Sequence, residues 1–295
     1  MTTTRFFTQF IGLLLALVVA SCADHLAPGS GPGRLRVKTL TQIVSDKPGI
    51  SRVSTFTYDE KGRLSTILAF QLPDSTLGPV EQNTYRYDDQ NRLVQHRRDI
   101  VRRALFNPAT PPYETHDYLY NPAGQVTQIL YSSNTGGLLF DVKLAYKDNG
   151  KLLSSKQRLV GISGISYNAN RTYTFTGDNA TLVDAQFAVC RTDGSPCPPG
   201  TSSTPYTFDD KINPFYGNYV IPMLTGRVIP VIGGILVNEA LYGGLDNYLN
   251  LSRNNVLTAG DSRYTYTYNT ANLPTSRVVT GQYATETLYY TYETY

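Results

Sequence analysis

Three cysteines are the residues of this 295-residue chain whose positions best define a chemistry. Cys22 follows Val19-Ala20-Ser21 at the end of the apolar run Phe10 to Ala20. A run that short falls below the roughly 20 residues a membrane-spanning helix needs, whereas small residues before a Cys fit a cleavage site that frees a thiol for acylation. Residues 1–21 are therefore predicted to be a lipoprotein signal peptide, with Cys22 the lipid attachment and mature N-terminus. The expected location is the outer membrane, anchored by lipid on its periplasmic or cell-surface face. Cys190 and Cys197 frame Arg191-Thr192-Asp193-Gly194-Ser195-Pro196, a loop dense in turn formers. Outside the cytoplasm, such a pair is expected to close as a disulfide.

Other chemistry is sparse. His25, His96 and His116 lie far apart in sequence, so no metal site is expected. There is no Gly-x-Ser-x-Gly, His-Glu-x-x-His, phosphate loop or dinucleotide fingerprint, and no catalytic residue, cofactor or cofactor-binding residue is assigned. Asp59, Asp88 and Asp89 could be read as calcium ligands, but Asx-turn capping accounts for them. Glycosidase carboxylates are set by geometry and leave little local trace, so a glycan-active or other hydrolytic envelope enzyme stands as the alternative to a non-enzymatic binding or structural protein. The net charge is only +3, which steers away from nucleic acid. The basic cluster His96-Arg97-Arg98-Asp99-Ile100-Val101-Arg102-Arg103 puts charge on both faces of a strand, as on a solvated or edge-guarding strand.

The elements that must position these groups show a recurring unit. In Tyr58-Asp59-Glu60-Lys61-Gly62-Arg63-Leu64 an aromatic residue ends a strand, Asp caps the turn, and Gly four residues after the aromatic supplies positive φ. The aromatic-then-Gly-or-Asn spacing recurs at Tyr87/Asn91, Tyr120/Gly124, Tyr146/Gly150, Phe175/Asn179 and Tyr268/Asn272. Period-2 alternation precedes most copies, as in Tyr264-Thr265-Tyr266-Thr267-Tyr268. Each copy thus reads as a β-hairpin, and hairpins must stand side by side to bury a shared face. The expected fold is all-β: an antiparallel meander of roughly ten to sixteen strands, forming a large curled sheet or partly closed barrel.

The Tyr58–Leu64 unit resembles the Tyr-Asp repeats of Rhs and teneurin shells. The chain more closely resembles a family of bacterial lipoproteins described as having a porin-like β-fold, through its lipoprotein signal, its hairpins, Asp209-Asp210-Lys211-Ile212-Asn213-Pro214-Phe215 and Asn254-Asn255-Val256. The resemblance implies fold and envelope location, and no activity.

The organisation expected is signal peptide 1–21, flexible tether 22–36 and a single β-domain 37–295. Within it, residues 213–255 break the hairpin rhythm and read as a mostly irregular insertion, with a short helix at Asn238 to Tyr242, that caps the sheet over any ligand site. Asp209, Asp210, Asn213 and Pro214 should hold its start, and Asn254-Asn255 its end. The expected partners are the membrane through the N-terminal lipid, and a glycan or envelope protein. The expected state is a monomer.

Overall fold

The computed structural model describes residues 34–43, 49–73, 78–102, 112–134, 138–162, 165–191, 193, 197–217, 248–281 and 286–295. The signal peptide, Cys22, most of the tether and residues 218–247, including the expected helix at Asn238 to Tyr242, lie outside them. The strands are β1 Leu35–Ile43, β2 Ser51–Tyr58, β3 Leu64–Leu72, β4 Glu81–Tyr87, β5 Leu93–Ile100 and β6 Tyr113–Tyr120. They continue as β7 Val126–Ser133, β8 Leu138–Tyr146, β9 Leu152–Ile162, β10 Ile165–Thr176 and β11 Asn179–Arg191. The last are β12 Pro199–Ile212, β13 Asn254–Ala259, β14 Ser262–Tyr268, β15 Pro274–Thr280 and β16 Glu286–Thr294. Every strand pairs with its sequence neighbours, and β1 pairs with β16, so the expected meander closes into a barrel. Val37–Tyr292 is one compact unit; the described residues 34–36 and 293–295 belong to another, in which Arg36 pairs with Glu293 at 2.7 Å.

The recurring unit makes one specific turn. Asp59 N–H donates to Arg63 O, Gly62 N–H donates to Asp59 O, and Asp59 Oδ1 accepts from the Lys61 and Arg63 amides. This closure requires φ +76° at Gly62, a region costing an L-residue roughly 1–2 kcal/mol. Asn91 (+62°), Gly124 (+79°), Gly150 (+80°) and Asn272 (+58°) repeat it. Phe175/Asn179 departs from the expectation. There the positive φ falls on Gly177 (+56°), and β11 already begins at Asn179. Gly-Asp is a two-residue hairpin loop with Gly first, as a type II′ turn prefers, so the longer turn is not needed. We expect Gly62→Ala to cost about 1–2 kcal/mol, measured as a shift in urea midpoint. Gly177→Ala and Gly62→Ala should cost similar amounts, and an unchanged midpoint for either would contradict the turn assignment.

The tyrosines of the first four units join hairpins. Tyr58 OH donates to Val37 O, Tyr87 OH to Leu64 O, Tyr120 OH to Leu93 O and Tyr146 OH to Val126 O, each at 2.6–2.8 Å. Arg63 pairs with its own Asp59 while lying 4.3 Å over the Tyr87 ring, and Arg92 does the same with Asp88 and Tyr120. The motif therefore serves both as a turn and as a clasp on the next hairpin.

Alternation along the strands divides the two faces of the wall. Inward residues build two apolar clusters, one around Tyr118, Ile129, Tyr131, Val142 and Tyr173, the other around Val37, Leu40, Phe56, Ile67 and Leu288. The outward face is polar. Arg86 donates to Gln95 and Gln95 to Asp117, Arg97 pairs with Asp99, Gln128 donates to Asp141, and Thr207 bonds Thr258. Lys143, Lys156, Arg158 and Arg263 are exposed on outward positions of their strands. Leu119, Leu153 and Tyr289 are exposed among these polar and charged groups.

Candidate functional site

The described ends of the 213–255 insertion are tied where they were expected to be, with additional partners. Asp209 accepts from the Asn255 amide and side chain and from the Tyr268 hydroxyl, joining the start of the segment to its end. Asn213 N–H donates to Arg253 O, Asn254 Nδ2 donates to Lys211 O, and the buried Ser252 hydroxyl accepts from the Ala180 amide. Asp210 is instead exposed and, among the described residues, pairs with its neighbour Lys211. Phe215 packs 6.0 Å from Phe56, and Leu251 is buried in the other cluster. Cys190 and Cys197 are bonded to each other, with Cα atoms 4.8 Å apart.

The chemistry-bearing cluster lies at the opposite ends of β4, β5 and β6, away from the tight turns. Glu-Gln-Asn-Thr-Tyr, His-Arg-Arg-Asp and Glu-Thr-His-Asp-Tyr each alternate, so Glu81, Asn83, Tyr85, His96, Arg98, Glu114, His116 and Tyr118 are buried on one face. Antiparallel register then stacks them in two rows. Asn83, Arg98, Glu114 and Ser133 are direct cross-strand partners, and so are Tyr85, His96, His116 and Tyr131. The second row is a column of rings at centroid distances of 4.9, 5.3 and 5.0 Å. The basic cluster of β5 is thus neither solvated nor edge-guarding. The strand is paired on both sides in a closed barrel, its His96 and Arg98 are buried, and Arg97 faces out as a salt-bridged surface charge, while Arg103 lies outside the described residues.

Arg98 is held between two carboxylates, 2.7 Å from Glu81 and 3.3 Å from Glu114. Burial alone would push the Glu81 carboxyl up, but Arg98 and Asn83 hold it below its usual range. For Glu114 burial prevails over the pull of Arg98 and the Tyr131 hydroxyl, and its carboxyl is pushed up to about 7. Burial also lowers His96 well below its usual value and His116 to about 3, with Arg98 acting in the same direction, so both imidazoles are neutral. Their tautomers follow from the network. Asn83 Nδ2 donates to Glu81 Oε1, which leaves Asn83 Oδ1 to accept from His96 Nε2 at 2.9 Å. His96 Nδ1 must then accept, at 3.3 Å, from His116 Nδ1. His116 Nε2 is left as a buried lone pair with no partner, and Glu114 Oε1 is a second such atom.

A pair of carboxylates whose environments push their pKa values apart is an acid/base signature. Here both are buried and bound to the same guanidinium, which makes them internal partners rather than groups presented to a substrate. Among the described residues, no three His, Cys, Asp or Glu are grouped to hold a metal ion. Sequence reasoning missed this cluster, because its signal is three short alternating polar runs that become one site only when the strands are placed in register.

No protein-family model matches the chain, and neither does any curated protein sequence. Among solved structures, the chain is similar to a porin-like protein from Bacteroides uniformis, at TM-score 0.48 and 16% identity over 90% of this chain and 100% of that one. It is also similar to a porin-like protein from Bacteroides vulgatus, at TM-score 0.38 and 14% identity over 88% of this chain and 98% of that one.

Proposed function

We propose that the protein is a lipid-tethered barrel of the cell envelope, bathed in water, with a non-enzymatic binding or structural role. The observation that carries this reading is the outward face, whose salt bridges, Thr pairs and exposed Lys and Arg suit solvent and not acyl chains. Membrane association would then rest on the acyl chains at Cys22, as in the lipoprotein family the sequence resembles. The hairpins would be variants of the Tyr-Asp repeat, adapted to a closed wall by the tyrosine clasp. A non-enzymatic role is favoured because Glu81 and Glu114 are consumed by Arg98.

Cys22→Ser is expected to move the protein from the membrane to the soluble fraction and to leave its melting temperature unchanged, because the substitution lies outside the barrel. The parent should incorporate labelled fatty acid. Continued sedimentation of the variant with membranes, or ion conductance of the purified parent in planar bilayers, would refute the water-bathed barrel. Incubation with envelope glycans, scoring binding and product release separately, tests the enzymatic alternative, which released product would establish.

A further inference from the structure

The buried polar cluster forms a ring of hydrogen bonds with one link open. From Arg98 the ring runs through Glu81, Asn83, His96 and His116 along the contacts already described, and returns through Glu114 to Arg98. The two atoms that would complete it, His116 Nε2 and Glu114 Oε1, are both buried and both without a partner. They belong to side chains two residues apart on the inward face of β6, a separation of roughly 7 Å along the strand that a glutamate side chain can bridge. With Glu114 ionised, both are acceptors, and no hydrogen lies between them.

We propose that Glu114 and His116 form a proton-binding site, in which one proton taken from solvent onto Glu114 Oε1 is donated to His116 Nε2, closes the ring and locks β4, β5 and β6 together. Binding takes Glu114 from −1 to neutral and leaves His116 neutral. The charged and titratable groups around the site are Arg98 and His96 on β5, Glu81 on β4, Tyr131 on β7, and Arg52 on β2, which faces Glu81. Arg98 and the Tyr131 hydroxyl favour an ionised Glu114, while the Glu81 charge opposes it. Burial of the carboxyl outweighs the pull of Arg98 and Tyr131, and its midpoint is pushed up to about 7. The proton is therefore gained and lost near neutrality, and the contribution of this site to stability is present on the acid side of that point.

Glu114→Gln supplies a permanent donor, since the amide N–H can bond His116 Nε2 at any pH. The test is urea unfolding of the full-length parent and the variant from pH 4.5 to 8.5. The raised folded pKa stabilises the parent fully below the unfolded value of 4.5, and this stability is lost as pH rises toward about 7. The ratio of folding constants, variant over parent, should therefore rise about tenfold per pH unit across that window and level off above it. Dividing by the parent cancels the histidines and every other group the two proteins share. In parallel, the 15N shift of His116 Nε2 in the parent should move with a midpoint near 7, and in the variant should stay at its hydrogen-bonded value. A flat ratio, or a His116 Nε2 resonance with no inflection between pH 5.5 and 8.5, overturns the proposal. If the variant does not fold, the resonance of the parent decides alone.

Discussion

Arg98→Met is expected to destabilise the barrel by about 3–5 kcal/mol at neutral pH, the largest effect of any single substitution considered. The guanidinium is buried between Glu81 and Glu114, and burial of both carboxyls is tolerated only while it is there. Removing it strands two acids in a medium where an unpaired charge is costly, and both must protonate to stay inside. The sign with pH follows. Without Arg98 the folded pKa of Glu81 moves from below its usual value to above it, so the loss should shrink as pH falls and both acids become neutral. Arg98→Met combined with Glu81→Gln and Glu114→Gln should recover most of the stability, because no buried charge remains. Urea unfolding of the parent, the single variant and the triple variant measures this. A single variant within 1 kcal/mol of the parent would show that water reaches the cluster.

The second large effect is acid lability set by the imidazoles. His116 is lowered to about 3 and His96 also lies well below its usual 6.5, both chiefly by burial. Groups with depressed folded pKa values contribute stability that is present above the unfolded value and lost as pH falls. Between pH 6.5 and 4.5 unfolding therefore takes up two protons on the histidines and releases the one held by Glu114. The net uptake of one proton should cost about 1.4 kcal/mol per pH unit, or roughly 3 kcal/mol over the window. His116→Phe keeps a ring in the column beside Tyr131 and removes one titration, so its profile should be nearly level over the same range. A level profile in the parent would mean that one imidazole is charged in the folded barrel, and a stability that rises as pH falls would mean that both are.

Both predictions fall on residues whose importance is hard to see in one dimension. The hairpin turns were legible because their physics is local: an Asx cap and a positive φ act within five residues, so Tyr58 to Gly62 and its copies could be located from spacing alone. The one misplaced turn, Phe175/Asn179, failed for a local reason too, since Gly177 offers a shorter loop that the spacing rule does not weigh. The disulfide was legible because its cysteines are seven residues apart across turn formers. The all-β meander followed from the repetition of such units.

Closure and the polar ring were decided by tertiary structure. Whether a meander of this length ends as an open curl or a barrel depends on β1 meeting β16, partners more than 250 residues apart, as in the Thr39 to Thr291 hydroxyl contact. Likewise, His96 and Arg98 carry no mark in sequence that separates them from Arg97. Strand alternation divides them between wall and interior, and register alone sets them against Glu81, Asn83, Glu114 and His116. The sequence by itself determined what each strand could offer. Which offers met was determined by pairing across the sheet, because hydrogen bonds and ion pairs in a buried cluster depend on distances in space that spacing along the chain does not encode.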